Sequence, residues 1–199
     1  MTKSVLFFAC IVFLAGCSLA NVPAPKNVVD LLLDTTCDAP CVLGITPGVT
    51  TPDEARTIVN NNALLSNCEE HDLRTQGGVQ WIDCNSKSFG IVFLDNTVAW
   101  ISIAPSNLSI EQLMQKYGPP KALSIVVGNK AAEQFSSKAI LVYEKIRAQI
   151  TLSEKSGNKY EIDPNTQIEA IIFNSEQQQT KVVAKVVGAW KGYGIYLPQ

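Results

Sequence analysis

Two helix starts constrain the layout of this chain more than any other feature. Thr51-Pro52-Asp53-Glu54 and Ser109-Ile110-Glu111-Gln112 are both capping boxes. In each, a hydroxyl can accept from the amide three residues on, and that residue's side chain reaches back to the cap amide. Pro52 adds the preferred residue at the first helical position. Ala55, Ile58 and Val59 then recur at helical spacing, and Asn60-Asn61-Asn62 is a poor helical run that stops the helix. At the second box Leu108 and Leu113 occupy the staple positions. Ile110, Leu113, Met114 and Tyr117 form the buried stripe, and Gly118 with Pro119-Pro120 ends it.

Strand signals follow each helix. After the first come Val79 to Cys84, Phe89 to Leu94 and Thr97 to Ile103. After the second come Ala122 to Val127, Ala139 to Tyr143, Ile146 to Leu152 and Ile168 to Asn174. Asp95-Asn96 suits a two-residue hairpin turn, since both residue types tolerate positive φ. That turn pairs Phe93 with Val98, Ile91 with Trp100 and Phe89 with Ser102 on one bulky face, which makes Trp100 a core residue. The other face, with Val92, Leu94 and Ile101, is apolar too, so both faces are expected to be at least partly covered. Ile146, Ala148, Ile150 and Leu152 point inward, with Arg147, Gln149 and Thr151 outward. Cys68 to Asp72, Asn129 to Lys138 and Glu154 to Thr166 read as polar loops. A last helix runs from Ser175 to Val187, buried through Val182, Val183, Val186 and Val187, and ends at Gly188. The expected fold is α+β, with a mainly antiparallel sheet. It divides into two helix-then-strand units at 37–107 and 108–199, a tandem pseudo-repeat.

The N-terminus reads as a targeting segment. Lys3 precedes Val5 to Ala15, an apolar run of 11 residues that is too short to span a bilayer. Leu14-Ala15-Gly16-Cys17 resembles the lipobox of bacterial lipoproteins. The resemblance implies a signal peptide at 1–16, a diacylglyceryl group on the Cys17 thiol, and a lipidated tether at 17–36 containing Pro23 and Pro25. No later apolar run reaches about 18 residues. The expected location is the extracytoplasmic face of a membrane, held by lipid. A net charge of −2 supplies no basic field for nucleic acid.

Export favours disulfides, and Cys37, Cys41, Cys68 and Cys84 remain after the targeting segment. Four cysteines allow three connectivities. The favoured one is Cys37–Cys41, around a tight Asp38-Ala39-Pro40 turn, with Cys68–Cys84 closing a longer loop. Cys68 and Cys84 lie too far apart to make a second zinc knuckle, so no metal is expected.

Gly48-Val49-Thr50-Thr51-Pro52-Asp53-Glu54-Ala55 is similar to the helix start of the BamE/SmpA-like small lipoproteins and of the tandem-lobed beta-lactamase inhibitor proteins. In those families a Gly-x-Thr opens a helix, a Gly-x-Pro closes it and an antiparallel sheet follows. Here the first unit keeps Gly48-x-Thr50 without the closing motif. The second keeps Tyr117-Gly118-Pro119-Pro120 without the opening glycine. Pro40-Cys41 to Glu54, together with Trp190-Lys191-Gly192-Tyr193-Gly194, also resembles uncharacterised bacterial lipoproteins. The fold resemblance implies protein binding by a sheet surface, or scaffolding at the envelope.

No motif demands a reaction. Gly-x-Ser-x-Gly, Walker and His-Glu-x-x-His signatures are absent from the sequence, and so is a Ser-x-x-Lys accompanied by its companion motifs. His71 is the single histidine, and it stands beside carboxylates in an expected loop. Asp83/Asp95 and Glu144/Glu161 are available carboxylates with nothing to set a catalytic separation. Asn107-Leu108-Ser109 is a sequon that reads as a loop-to-helix junction. The expectation is a non-catalytic lipoprotein with no cofactor, bound to the membrane by its lipid and to an envelope protein partner. Trp190, Tyr193 and Tyr196 are the candidate contact residues, unless they pack over the sheet. The alternative is a lipoprotein that captures a small ligand for a transporter or sensor.

Overall fold

The computed structural model describes residues 37–73, 75, 78–130, 134–157, 159–184 and 188–198. Helix α1 is Pro52–Asn61, and its box is formed as expected. The Thr51 amide donates to the Glu54 carboxylate at 2.9 Å, and the Glu54 amide donates to Thr51 Oγ1 at 3.4 Å. Helix α2 is Ile110–Tyr117, with the same reciprocal bonds between Ser109 and Gln112. Gly118 caps α2 at φ +77°. Each helix sinks one stripe into the core: Ala55 and Val59 from α1, Ile110 and Leu113 from α2.

The strands are β1 (Glu69–Asp72), β2 (Gln80–Cys84), β3 (Phe89–Leu94), β4 (Thr97–Ile103), β5 (Ala122–Lys130), β6 (Gln134–Tyr143), β7 (Ala148–Leu152), β8 (Lys155–Ser156), β9 (Tyr160–Ile162), β10 (Ile168–Asn174), β11 (Gly188–Ala189) and β12 (Gly194–Tyr196). The main sheet runs β1-β2-β3-β4-β10-β7-β6-β5-β11, with β8 beside β6. Its pairings are antiparallel, as is the separate β12-β9 pair. The fold is therefore α+β. β1 to β4 form one meander, and β5, β6, β7 and β10 form another. The two join where β4 meets β10. One face of the sheet carries Phe89, Ile91, Phe93, Ile101, Ile103, Ile150, Ile171 and Phe173, which form one core with the helix stripes.

The register of β3 and β4 corrects the sequence expectation. Phe93 does face Val98, but a bulge follows, and Ile91 then faces Ile101, Phe89 faces Ile103 and Val92 faces Trp100. The cause is tertiary. Val98 exchanges backbone bonds with the Gly48–Thr50 loop (2.7 and 2.9 Å), and the Ala99 carbonyl accepts from the Ser175 amide at 2.8 Å. The Val98 groups point away from β3, but the Ala99 carbonyl is one that a regular ladder with β3 would need, so an extra residue is accommodated there. Gly48 makes the approach possible: it sits at φ +84°, and a Cβ on it would lie 3.2 Å from the Ser175 Cβ. A one-residue slip reverses the face of all that follows. Trp100 thereby leaves the core and joins the opposite face.

Three expected loops contain strands. Cys68 to Asp72 includes the edge strand β1. Asn129 to Lys138 belongs largely to the β5–β6 hairpin. Glu154 to Thr166 holds β8 and β9, where Tyr160 is fully buried and its hydroxyl donates to the Ser153 carbonyl at 2.5 Å. The last helix, α3, is shorter than expected, Glu176–Val183, with Ser175 as its cap. Its buried residue is Gln179; Val182 and Val183 are half-buried. Val186 and Val187 lie outside the described residues, and Gly188 begins β11.

Arg56 ties α1 to edge strand β1. Its guanidinium bonds Glu70 at 2.7 Å and Asp53 at 2.6 Å. The hydrogen bond from Arg56 holds the Glu70 carboxyl below the usual glutamate range. A carboxyl lowered on folding contributes stability above its unfolded pKa of about 4.3, and that contribution fades as pH falls through the lowered value. Glu70 is substantially exposed, so the contribution is below about 1 kcal/mol. Arg56→Ala is expected to shrink the acid-limb loss of stability by that amount and to leave the slope near neutral pH unchanged, as read by denaturation at stepped pH.

Candidate binding surface

The sheet face opposite α1 and α2 is the surface to build from. Strand alternation puts Trp81 and Asp83 of β2 on it, while Gln80, Ile82 and Cys84 are buried on the other side. The ladder sets Trp81 beside Val92, and Val92 beside Trp100. His71 of β1 extends this row at one end, and Asn174 of β10 at the other. A second row runs Asp83, Gly90, Ser102, Ile172 and Gln149.

Trp81 is held from two sides. The His71 ring stacks on it, with centroids 4.6 Å apart and planes 20° apart. Its indole N–H donates to Asp83 Oδ2 at 2.8 Å. His71 Nε2 lies 3.8 Å from that same oxygen, outside normal hydrogen-bond length. The row also needs a glycine. A Cβ at Gly90 would stand 2.7 Å from Ser102 Oγ and 3.2 Å from Asp83 Oδ1, so any larger residue would push the Ser102 hydroxyl aside and crowd the Asp83 carboxylate that steadies Trp81.

Helix α3 walls off the other half of this face. Between them lies a groove of about 590 Å³, with Trp100, Ile140, Ile172 and Val126 from the sheet and Gln178, Lys181 and Val182 from the helix. Ser124, Gln149 and Asn174 supply further polar groups. The Asn174 side chain donates to Gln179 Oε1 at 3.1 Å, which fixes the helix against β10. Among the residues lining the groove, Lys181 is the one titratable group. Such a surface has apolar floor, aromatic anchors and orienting polar groups, which suits binding.

Cys17 lies outside the described residues. The disulfides are Cys37–Cys41 and Cys68–Cys84. The tail aromatics cluster: Trp190 stacks on Tyr196 (5.9 Å, 16°) and meets the edge of Tyr193 (6.1 Å, 83°). Trp190 and Tyr196 are half-buried and pack on the core, and the Tyr196 hydroxyl donates to the Gly192 carbonyl at 2.5 Å. Tyr193 stays exposed, with its hydroxyl 3.6 Å from Met114 Sδ. The tail lines its own hollow of about 360 Å³ beside β5 and β11.

The carboxylate pairs are dispersed. Asp83 is on the open face, Asp95 is in the β3–β4 turn, Glu144 bonds Lys121 at 2.5 Å and Glu161 is exposed on β9. Among the described residues, no group of three or more His, Cys, Asp or Glu side chains is gathered for a metal ion, and no helix is long and apolar enough to cross a membrane. The sequence reading missed Trp81 and Trp100 as surface residues. Alternation in Gln80 to Cys84 carried the signal for Trp81, whereas Trp100 depends on the bulge. No protein family, curated protein or solved structure matches this chain.

Proposed function

We propose that this chain is a lipid-anchored, extracytoplasmic, non-catalytic binding protein that takes an envelope protein on the open face of its sheet. The observation that carries this is the Trp81–Val92–Trp100 row, with both indoles half-exposed on a rigid ladder. Aromatic anchors with little conformational freedom dominate protein interfaces. The lipobox-like Leu14-Ala15-Gly16-Cys17 supports the anchor, and two disulfides suit an oxidising compartment.

The tandem pseudo-repeat belongs to the same reading. Each half runs from a capped helix into a four-strand meander, and the halves meet last strand to last strand. Two such units side by side make a sheet broad enough to dock a protein, as the resemblance to BamE/SmpA-like lipoproteins and tandem-lobed inhibitors implies.

A second reading rests on the groove under α3. Its volume of about 590 Å³ falls within the range of small-ligand sites. One experiment separates the two. Envelope proteins are captured on the wild-type chain, on Trp81→Ala/Trp100→Ala and on Trp190→Ala/Tyr193→Ala, with folds checked by circular dichroism. A specific partner whose affinity falls about 30-fold with the first pair supports the proposal. Loss only with the second pair moves the interface to the tail. No partner, with a saturable ligand-induced rise in melting temperature that Trp100→Ala abolishes, favours ligand capture.

A further inference from the structure

The tail alternates. Tyr193, Ile195 and Leu197 are 44%, 66% and 60% exposed, while Tyr196, between the last two, turns onto the core. Pairing of β12 with β9 holds this alternation, with Ile195 beside exposed Glu161 and Tyr196 beside buried Tyr160. Half of the large apolar side chains exposed among the described residues are thus gathered on one short segment; Val49, Leu73 and Val126 are the others.

The start of the described chain comes to the same helix. Tyr193 rests on Met114 of α2. One turn on, Tyr117 has its hydroxyl pushed up by burial and, second, by the charge of Asp38, which places Asp38 near the end of α2. The nineteen residues 18–36 lead from there to Cys17 and span at most about 65 Å when fully extended. Asp38, two residues into the described chain, and Tyr193 of the apolar tail are therefore both placed beside α2.

We propose that Tyr193, Ile195 and Leu197 form a membrane-contact patch that rests in the headgroup region of the bilayer to which Cys17 is anchored. This rests on the lipid-anchor reading above. Tyrosine and aliphatic side chains favour the boundary between headgroups and acyl chains. Glu111, Glu161 and Asp163 stand near the patch and outnumber Lys191 and Lys155, so the local charge is slightly acidic and supplies no attraction to anionic lipid. The contact is apolar, so it survives salt. It also orients the domain. The tail lies at the β5–β11 edge, and β2 is six strands away from β5, about 30 Å at the usual strand spacing. Trp81 then stands clear of the bilayer, where an envelope protein can reach it.

The test uses the full lipidated chain in phosphatidylcholine vesicles whose acyl chains are brominated near the headgroup. Trp81→Phe/Trp100→Phe leaves Trp190 as the reporter, and Trp100→Phe/Trp190→Phe leaves Trp81. Trp190 emission is expected to fall about twofold against unbrominated vesicles, at low and high salt alike, while Trp81 emission holds. Ile195→Ser, at an exposed position that the fold does not need, and Tyr193→Ser/Ile195→Ser/Leu197→Ser are expected to remove the quenching while the chain still floats with the vesicles. A floating chain with unquenched Trp190, or with Trp81 quenched equally, overturns the patch and leaves the anchor standing. A wild-type chain that does not float removes the anchor, and the patch with it. Protection of the tail only on adding a partner protein also overturns it, in favour of a protein contact.

Discussion

Phe173→Ala is expected to lower the stability of the folded domain by about 3–5 kcal/mol. Phe173 is 1% exposed at the junction of the two meanders, with Ile101 of β4 on one side and Ala148 of β7 on the other. The small Ala148 leaves space that the ring fills. Truncation would lose the transfer free energy of the ring and leave a cavity where neither meander can collapse without disturbing the other. Urea denaturation should show a lower midpoint at unchanged m-value. Ile172→Ala is the control. Its side chain points to the open face and is half-buried, so its cost should be well under half as large. Equal losses at 172 and 173 would mean that the faces of β10 are assigned the wrong way round.

The second large effect is at Cys68–Cys84. The bond closes a loop of sequence separation 16 with a Cα–Cα distance of 4.0 Å, and it fastens the start of β1 to the end of β2. Removing such a link frees the unfolded chain at a cost of about 3 kcal/mol. Cys68→Ala/Cys84→Ala is the chosen pair because Cys84 is fully buried and a serine hydroxyl there would have to find a partner. Hydrogen exchange should report the loss first at β1, an edge strand with one neighbour. Asn85 will limit the damage: its side chain accepts from the Ser66 amide at 2.8 Å and donates to the Leu64 carbonyl at 2.9 Å, so the loop stays docked at its base. Cys37–Cys41 spans only four residues, and the Cys41 amide already donates to the Asp38 carbonyl at 3.0 Å. Its removal should cost less, because a short loop has less entropy to regain.

The features read correctly from the sequence are local. Both capping boxes, the Ser175 cap, the inward set Ala148, Ile150 and Leu152, and the two disulfides each depend on residues close in the chain. A cap bond needs partners three residues apart, and strand alternation needs only the pleat, so the sequence alone carries both.

What failed was non-local. Glu69-Glu70-His71-Asp72 looks like a solvated loop because an edge strand with little to bury needs no apolar alternation, and charge on an edge discourages further pairing. β8 and β9 are too short to show a period. The candidate surface turned on a single residue. The two-residue Asp95-Asn96 turn predicts Trp100 in the core, and the turn itself is placed correctly. Trp100 lies on the open face because Ser175, from outside the hairpin, takes the Ala99 carbonyl beside the point where Gly48 and Thr50 hold Val98, and the ladder shifts there by one residue. By itself the sequence determined where helices begin, which strand residues alternate and which cysteines can meet. Only the tertiary structure decided which tryptophan faces outward, because a β-ladder has a period of two and one distant hydrogen-bond claim reverses it.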